Sequence, residues 1–345
     1  MKINNMLKMG CVALAANIYK KKTPLNVMLS VTDRCTAHCS YCDIPGRGLK
    51  ELDKQILFDL INQICSLGCQ RLGIWGGEPL VRQDIGEIID YAKNRRLFVT
   101  MDSNGHLLPQ KMKEIRNLDH LILSLDGPQD MHDLNRGKGS FQKVMTAIEV
   151  AHNNVPFWTI TVLTKYNLES IDFILEQARK YNFLTTFQLL HHNDILGRNK
   201  QDFLPSKNQY RKAILRLIEE KKRKAPIASS FKYLENLLKW EDYNLPTSPR
   251  RINKLKCWGG ELFCNVDTDG SVYPCSLLIG KVNSLKFSEK GFKEAFETIS
   301  RNGCQACLAS CFTEYNYLYS LDIDTTLNWL KNIRKYKRPL RKWKH

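Results

Sequence analysis

Three cysteines fall within eight residues, in the run Thr32-Asp33-Arg34-Cys35-Thr36-Ala37-His38-Cys39-Ser40-Tyr41-Cys42. In a C-x3-C-x2-C triplet each thiolate can reach one iron of a four-iron cluster, which normally takes four thiolates. A local triplet therefore leaves one iron open, and an open iron can bind and reduce a substrate or cofactor. The competing chemistry is zinc, with His38 as a fourth ligand. Zinc motifs favour C-x2-C pairs repeated at a distance, and the asymmetric spacing here departs from that pattern.

A second group reads Cys257-x6-Cys264-x10-Cys275, then Cys304-x2-Cys307-x3-Cys311. Between its members, residues 265–275 carry the signature of a β-hairpin turning at Asp269-Gly270. A zinc ribbon built on Cys264, Cys275, Cys304 and Cys307 is one reading. An iron–sulfur cluster is the other; six cysteines complete one four-thiolate set and leave two over. Cys11, Cys65 and Cys69 are read as leader or core residues. Nine of twelve cysteines in two groups, in a chain of 345 residues, is not a disulfide scaffold, and it predicts a reducing cytoplasm.

The elements that must position these thiols alternate. Strands are predicted over 27–31, 71–75, 97–101, 121–125, 157–163 and 186–190, with amphipathic helices over 54–67, 84–95, 140–153 and 169–182. Strand–helix alternation predicts α/β architecture with a parallel sheet. Six units in so short a span suit a partial (β/α)6 TIM barrel, open on one side, with a small cysteine-rich β-hairpin/helix module after it. The triplet follows the first strand, Gly76-Gly77-Glu78-Pro79 the second, Asp102-Ser103-Asn104-Gly105 the third and Asp126-Gly127 the fourth. Functional residues of such sheets gather where strands end.

At the triplet the sequence resembles the radical S-adenosylmethionine (SAM) superfamily, whose signature is C-x3-C-x-aromatic-C, with Tyr41 as the aromatic. The resemblance spans about residues 26–190. It implies a [4Fe–4S] cluster on Cys35, Cys39 and Cys42 that chelates and reductively cleaves SAM, giving a 5′-deoxyadenosyl radical. Gly76, Gly77, Glu78 and Pro79 resemble the family's GGEP element, whose glycines let backbone approach the methionine portion and whose glutamate holds its ammonium. Ser124 and Asp126 resemble the ribose-facing strand, and Ser103 and Asn104 the turn that lines the pocket. Arg136 resembles the arginine that meets the SAM carboxylate, and Tyr41 sits beside the adenine. The later segment resembles the auxiliary-cluster module called SPASM or twitch, carried by Cys257, Gly270-x4-Cys275 and Cys304-x2-Cys307. A full SPASM module needs seven or eight cysteines. One auxiliary [4Fe–4S] cluster is implied, from Cys257 or Cys264 with Cys275, Cys304 and Cys307 or Cys311.

Four regions are expected: an amphipathic leader 1–25, the barrel 26–240, the auxiliary module 250–320 and a basic tail 321–345. A basic helix over 201–224, a linker over 241–256 and a tail holding Trp329, Leu330, Ile333, Tyr336, Leu340 and Trp343 complete the chain. Net charge is +17, which favours an anionic partner; no helix-turn-helix, RNP-type or zinc-knuckle pattern supports nucleic acid. A non-catalytic iron–sulfur or nucleic-acid-binding protein is the reading from another class, and it leaves the SAM-pocket elements unexplained. The chain reads as an enzyme that modifies a larger substrate, with flavodoxin or ferredoxin as reductant. Two substrate classes compete. A lipid substrate draws on the leader, on the tail, which could rest peripherally on the cytoplasmic face of an anionic membrane, and on Met131-His132-Asp133, similar to an element of enzymes that adenosylate hopene. A ribosomal peptide draws on the auxiliary module, although the leader is short for a peptide-recognition domain.

Overall fold

A computed structural model of the chain describes residues 3–190, 197 and 201–335. The strands Asn26–Ser30 (β1), Arg71–Trp75 (β2), Phe98–Ser103 (β3), His120–Ser124 (β4), Phe157–Leu163 (β5) and Leu184–Leu189 (β6) lie side by side in chain order, each parallel to the next. Helices return between them. In Lys54–Ser66, Leu57, Leu60, Ile61 and Ile64 recur at helical spacing and all four are buried against the sheet.

Register divides the sheet into two chemically distinct faces. Leu72, Ile74, Val99, Met101, Leu121 and Leu123 pack under the helices and are fully buried. The opposite face, which lines the barrel, carries Arg71, Thr100, Asp102, Ser124, Thr186 and Gln188. This polar lining makes the strand ends resemble turns in sequence. β3 runs on through Asp102 and Ser103, where the polar residues predict a turn.

The C-terminal segment is not a separate appendage. Phe263–Val266 (β8) pairs in parallel with β1, joining Val27 to Cys264 and Met28 to Asn265. Ser271–Tyr273 (β9) folds back on β8 as the predicted hairpin, with Gly270 at φ 88 in its turn, and Leu285–Lys286 (β10) follows antiparallel to β9. One nine-stranded sheet therefore spans barrel and module. Within the expected linker, Thr247–Ser248 (β7) pairs with Ala306–Cys307 (β11), which ties that segment to the cysteine-rich region. The helix Ser310–Tyr319 covers the open side of the barrel: the Ser310 amide donates to Gln188 Oε1 at 2.8 Å, and Arg71 sits over the Tyr315 ring.

Three segments outside the barrel find partners within the fold. The N-terminal helix Ile3–Tyr19 docks on the protein through Ala13 and Ala16, and Asn17 donates to the Tyr319 carbonyl at 2.9 Å. The tail begins as the helix Ile323–Lys335, and its Trp329 packs inward against Trp158, with Nε1 donating to Glu314 at 2.9 Å. Tyr336, Leu340 and Trp343 lie outside the described residues. The basic helix forms as Lys207–Lys222 under a Ser206/Gln209 capping box, but Lys221 is bound to Ile227 O and Asn328 Oδ1, each at 3.0 Å. It is not part of a free cationic patch. Among the described residues no helix is long and apolar enough to cross a membrane.

Candidate active site

The triplet loop leaves β1 and is held by backbone. Gly77 N donates to Thr32 O at 2.7 Å and Glu78 N to Arg34 O at 2.8 Å. This pairing explains the two glycines. A Cβ on Gly76 would stand 2.4 Å from Thr32 O, and one on Gly77 2.3 Å from Arg34 O and 2.5 Å from Asp33 O. The glycine pair line the cavity, as expected, but what demands glycine is the cysteine loop on their other side. The loop is braced further by Ser40 N to Asn135 O, 2.9 Å, and by buried Arg47, which bridges Asp33 at 2.5 Å and Asp267 of the β8–β9 turn at 2.8 Å.

A cavity of about 200 Å³ opens over the loop, lined by Cys35, Cys39, Cys42, His38, Tyr41 and Trp75, with Gly76, Gly77, Asp102, Ser103, Asn104, Ser124 and Arg136. Donors point at the sulfurs: Ala37 N reaches Cys35 Sγ at 3.4 Å, Asn104 Nδ2 the same sulfur at 3.5 Å, and Arg136 Nη1 reaches Cys39 Sγ at 4.0 Å. Burial pushes all three thiols up, Cys42 to about 11. Without metal they are neutral thiols, and bound iron takes the proton's place. Three soft donors at the rim of a cavity, stabilised by hydrogen bonds to sulfur, fit a cluster with one open iron. Among the described residues no three His, Cys, Asp or Glu side chains converge on a point one ion could occupy.

Some expected ligand contacts fall in the wall instead. Glu78 is fully buried and does not line the cavity; it accepts from Leu80 N at 3.0 Å, Ser103 Oγ at 2.9 Å and Asn104 N at 2.7 Å. Burial pushes its carboxyl up to about 7 against those donors. Its visible work is to fix the turn after β3, with Pro79 buried beside it. Asp126 is also fully buried, grips Arg136 through Nε (2.7 Å) and Nη2 (3.2 Å), and accepts from Tyr41 Oη at 2.9 Å. The Arg136 fork is thus occupied by Asp126, leaving Nη1 toward Cys39. Burial alone would lower this guanidinium, but Asp126, with Tyr41 and Cys39, raises it above its ordinary value. Met131-His132-Asp133 has structural work too. His132 Nδ1 accepts from Asp126 N at 3.1 Å, and Asp133 caps the helix Ser140–Asn154 through Gly139 N and Phe141 N.

The C-terminal cysteines separate by face. Cys257, Cys275, Cys304 and Cys307 lie within electrostatic reach of one another, and burial drives Cys275 and Cys307 well above the ordinary thiol range. Cys264 belongs elsewhere: its β8 register turns it toward Cys69 in the core under the helices. Cys311 is set apart as well. It emerges from the start of the helix Ser310–Tyr319 within reach of Asp102 and Arg71. Asp102 belongs to the polar run at the end of β3, where Ser103-Asn104-Gly105 reads as the turn and nothing local assigns Asp102 a role of its own. Its carboxylate lines the cavity and accepts no hydrogen bond among the described residues. Burial pushes it up to about 6, with Arg71 pulling the other way.

A six-stranded parallel half-barrel with three thiols in the loop after its first strand defines a class, and sequence comparison finds that class over part of the chain. Residues 29–178 match the Radical SAM superfamily. The chain is 28% identical over 297 residues to the AdoMet-dependent heme synthase of Methanosarcina barkeri, spanning 79% of this chain and 82% of that protein. It is 27% identical over 265 residues to the PqqA peptide cyclase of Ruegeria pomeroyi, spanning 73% and 67%. SuiB of Streptococcus suis, solved bound to precursor peptide SuiA, superposes with TM-score 0.65 at 13% identity over 82% of this chain and 67% of that one, which is a likeness of fold. Residues 29–178 thus carry a Radical SAM superfamily domain, the family that uses a [4Fe–4S] cluster and SAM.

Proposed function

We propose that this enzyme oxidises or cross-links a peptide held between two iron–sulfur sites. Cys35, Cys39 and Cys42 hold the first cluster, and Cys257, Cys275, Cys304 and Cys307 hold an auxiliary one. The observation that carries the reading is the separation of the thiols. One set rims the cavity, a second gathers in the C-terminal module, and Asp102 and Cys311 lie at the contact between barrel and module. Cys35, Cys39 and Cys42 would hold the first cluster at the cavity rim, where it would supply the electron for reductive cleavage of SAM.

This chain's residues bind and orient. Tyr41, Ser103, Asn104 and Ser124 line the bed for SAM, and Gly76 and Gly77 form its floor. Glu78, Pro79 and Asp126 hold that bed from behind, and Arg136, gripped by Asp126, lines it. Arg136 Nη1 is the guanidinium corner left for Cys39 and for an anionic group of the cofactor. Once a hydrogen atom has been abstracted, Asp102, ionised above about pH 6, accepts the proton the substrate loses, and the electron left behind would pass to the auxiliary cluster that Cys257, Cys275, Cys304 and Cys307 would hold.

The peptide class draws support from likeness to the PqqA peptide cyclase. The lipid class has lost ground, because Trp329 packs inward and His132 and Asp133 work within the fold. A second reading concerns location. Leu7, Leu14 and Ile18 are 62%, 50% and 61% exposed on the outward face of the N-terminal helix, near Lys8 and Lys20–Lys22. That ridge suits peripheral contact with an anionic bilayer.

The chemistry is tested with anaerobically reconstituted protein, dithionite and SAM. 5′-Deoxyadenosine should appear with wild type and vanish with Cys35→Ala; equal yields would refute the cluster assignment. A triple alanine variant at Cys35, Cys39 and Cys42 should retain auxiliary iron. Candidate peptides encoded nearby should lose two hydrogens by mass spectrometry. Liposome flotation of Leu7→Ser/Leu14→Ser should show weaker recovery in anionic lipid, and unchanged recovery would remove the membrane reading.

A further inference from the structure

Side-on pairing of a guanidinium with a carboxylate recurs in this chain. Arg34 grips Glu51 through Nε (2.6 Å) and Nη2 (3.1 Å), Arg82 grips Asp84 through the same edge (2.8 and 2.7 Å), and Arg136 grips Asp126 likewise. Arg71 breaks the pattern. It stands at the start of β2 on the polar inner face of the barrel, and its partners are neutral. Nη1 donates to Asn26 Oδ1 at 2.8 Å and to Met28 Sδ at 3.5 Å, and Nη2 donates to Thr100 Oγ1 at 2.7 Å. Thr100 engages one Nη2 hydrogen, leaving the other beside Nε. Among the described residues Nε has no acceptor, and no carboxylate lies within ion-pair distance of this guanidinium.

The fork is held in place. Asn26 and Met28 on β1 and Thr100 on β3 fix it from either side, and Tyr315 covers it, with the guanidinium carbon 5.5 Å from the ring centroid. Gly73 makes the room: a Cβ there would run into Met28 Sδ and stand 3.3 Å from Arg71 Nη1. Asp102 follows Thr100 by two residues on the same face of β3, nearer the triplet. Cys311 faces the same space. Burial pushes its thiol up to about 12, yet its surface is exposed, so it borders an open chamber enclosed by the protein. His120, beside Thr100 on β4, stays neutral there, its imidazole pushed down to about 3 by burial and by Arg71. Arg71 is the permanent charge of this chamber, because a guanidinium does not give up its proton.

We infer that Arg71 is the specificity residue of the substrate site and receives a carboxylate carried by the peptide, on the edge that Arg34, Arg82 and Arg136 give to carboxylates of this chain. The inference rests on the peptide reading above and deepens it. A fork selects a planar two-oxygen acceptor over a single oxygen. Charge balance points the same way. Once Asp102 takes the substrate's proton, Arg71 is left uncompensated in the chamber, and a bound carboxylate offsets it. A cationic substrate group drawn to Asp102 would instead stand beside a guanidinium that cannot discharge. Two sources offer the carboxylate, an acidic side chain and the peptide's own C-terminus.

Binding tests this without turnover. Capped Ala-Glu-Ala, capped Ala-Gln-Ala, acetyl-Ala-Ala-Ala with a free C-terminus, and glutarate are titrated calorimetrically into the reconstituted, SAM-loaded enzyme. The same titrations are run on Arg71→Gln and Arg71→Lys variants matched for iron content and melting temperature. In wild type the glutamate or the free-terminus peptide should bind about tenfold or more tighter than the glutamine peptide, and whichever leads identifies the source. Arg71→Gln should erase that preference, and Arg71→Lys, which keeps the charge without the fork, should restore part of it. Equal affinity of wild type for all the peptides would overturn the inference, as would a preference that survives Arg71→Gln. A uniform loss across the peptides in Arg71→Gln would overturn it too, since that assigns Arg71 to holding the strands alone. Glutarate separates the two proposals. Arg71-dependent glutarate binding without peptide binding keeps the carboxylate site and defeats the peptide reading. No carboxylate bound by wild type at millimolar concentration defeats the inference and leaves peptide oxidation to the mass measurement.

Discussion

Asp102 is a carboxylate on the polar inner face of the barrel, with no hydrogen bond among the described residues and Cys311 across from it. Burial holds its carboxyl up at about 6, with Arg71 opposing. A base must be ionised to accept a proton, so substrate modification should rise as pH passes through about 6 and level off above it. Asp102→Asn should flatten that limb and lower the modification rate by about 10²-fold or more, while 5′-deoxyadenosine formation persists. A parallel loss of both products would assign Asp102 to SAM binding instead. The residues that carry the triplet and the strand-end turns were legible in the sequence because local spacing and short polar runs encode them. The partners were not. Nothing local in Glu78 or Asp126 announces that one braces Asn104 and the other fills the fork of Arg136, since those contacts span 26 and 10 residues.

Among the elements, the tight pairing of Gly76–Glu78 with Thr32–Arg34 sets where the thiols stand. Gly77→Ala would drive a methyl into two backbone carbonyls, and backbone cannot yield as a flexible side chain does. The expected result is loss of first-cluster iron with auxiliary iron retained, read as iron per chain and by electron paramagnetic resonance. Full occupancy of both sites would refute this role for the glycine. Six strands and four helices were readable from period alone, since the strands are apolar and the helices have clear buried stripes. The helix Gln129–Arg136 was missed because its buried side is polar, with His132, Asn135 and Arg136 facing inward. The C-terminal cysteines were countable, but their division was not. The strand register that turns Cys264 toward Cys69 is a property of β8 pairing with β1.

For the whole molecule, that pairing makes barrel and module a single cooperative body. Arg47 adds a buried link, joining Asp33 of the triplet loop to Asp267 of the hairpin. Removing one partner from a buried ion pair typically costs about 3–5 kcal/mol. Arg47→Ala should therefore lower the melting temperature of the apo-protein and loosen the first cluster. A fragment ending at residue 245 should fail to hold that cluster, because β1 loses its neighbour and the open side loses its cover. Native-like circular dichroism and a four-iron signal from such a fragment would contradict the single-body description.

The place of β8 beside β1 also bears on how the chain is made. The strand that completes the outer edge of β1 leaves the ribosome more than two hundred residues after β1 itself. Throughout that interval β1 presents a row of unpaired backbone groups, an invitation to mispairing. Helices and strands of the barrel can gather early, but the triplet loop cannot reach its final brace until the hairpin arrives. Iron loading is therefore expected late in biogenesis, after the last third of the chain has emerged, and newly made protein should depend on a chaperone to shield that waiting edge.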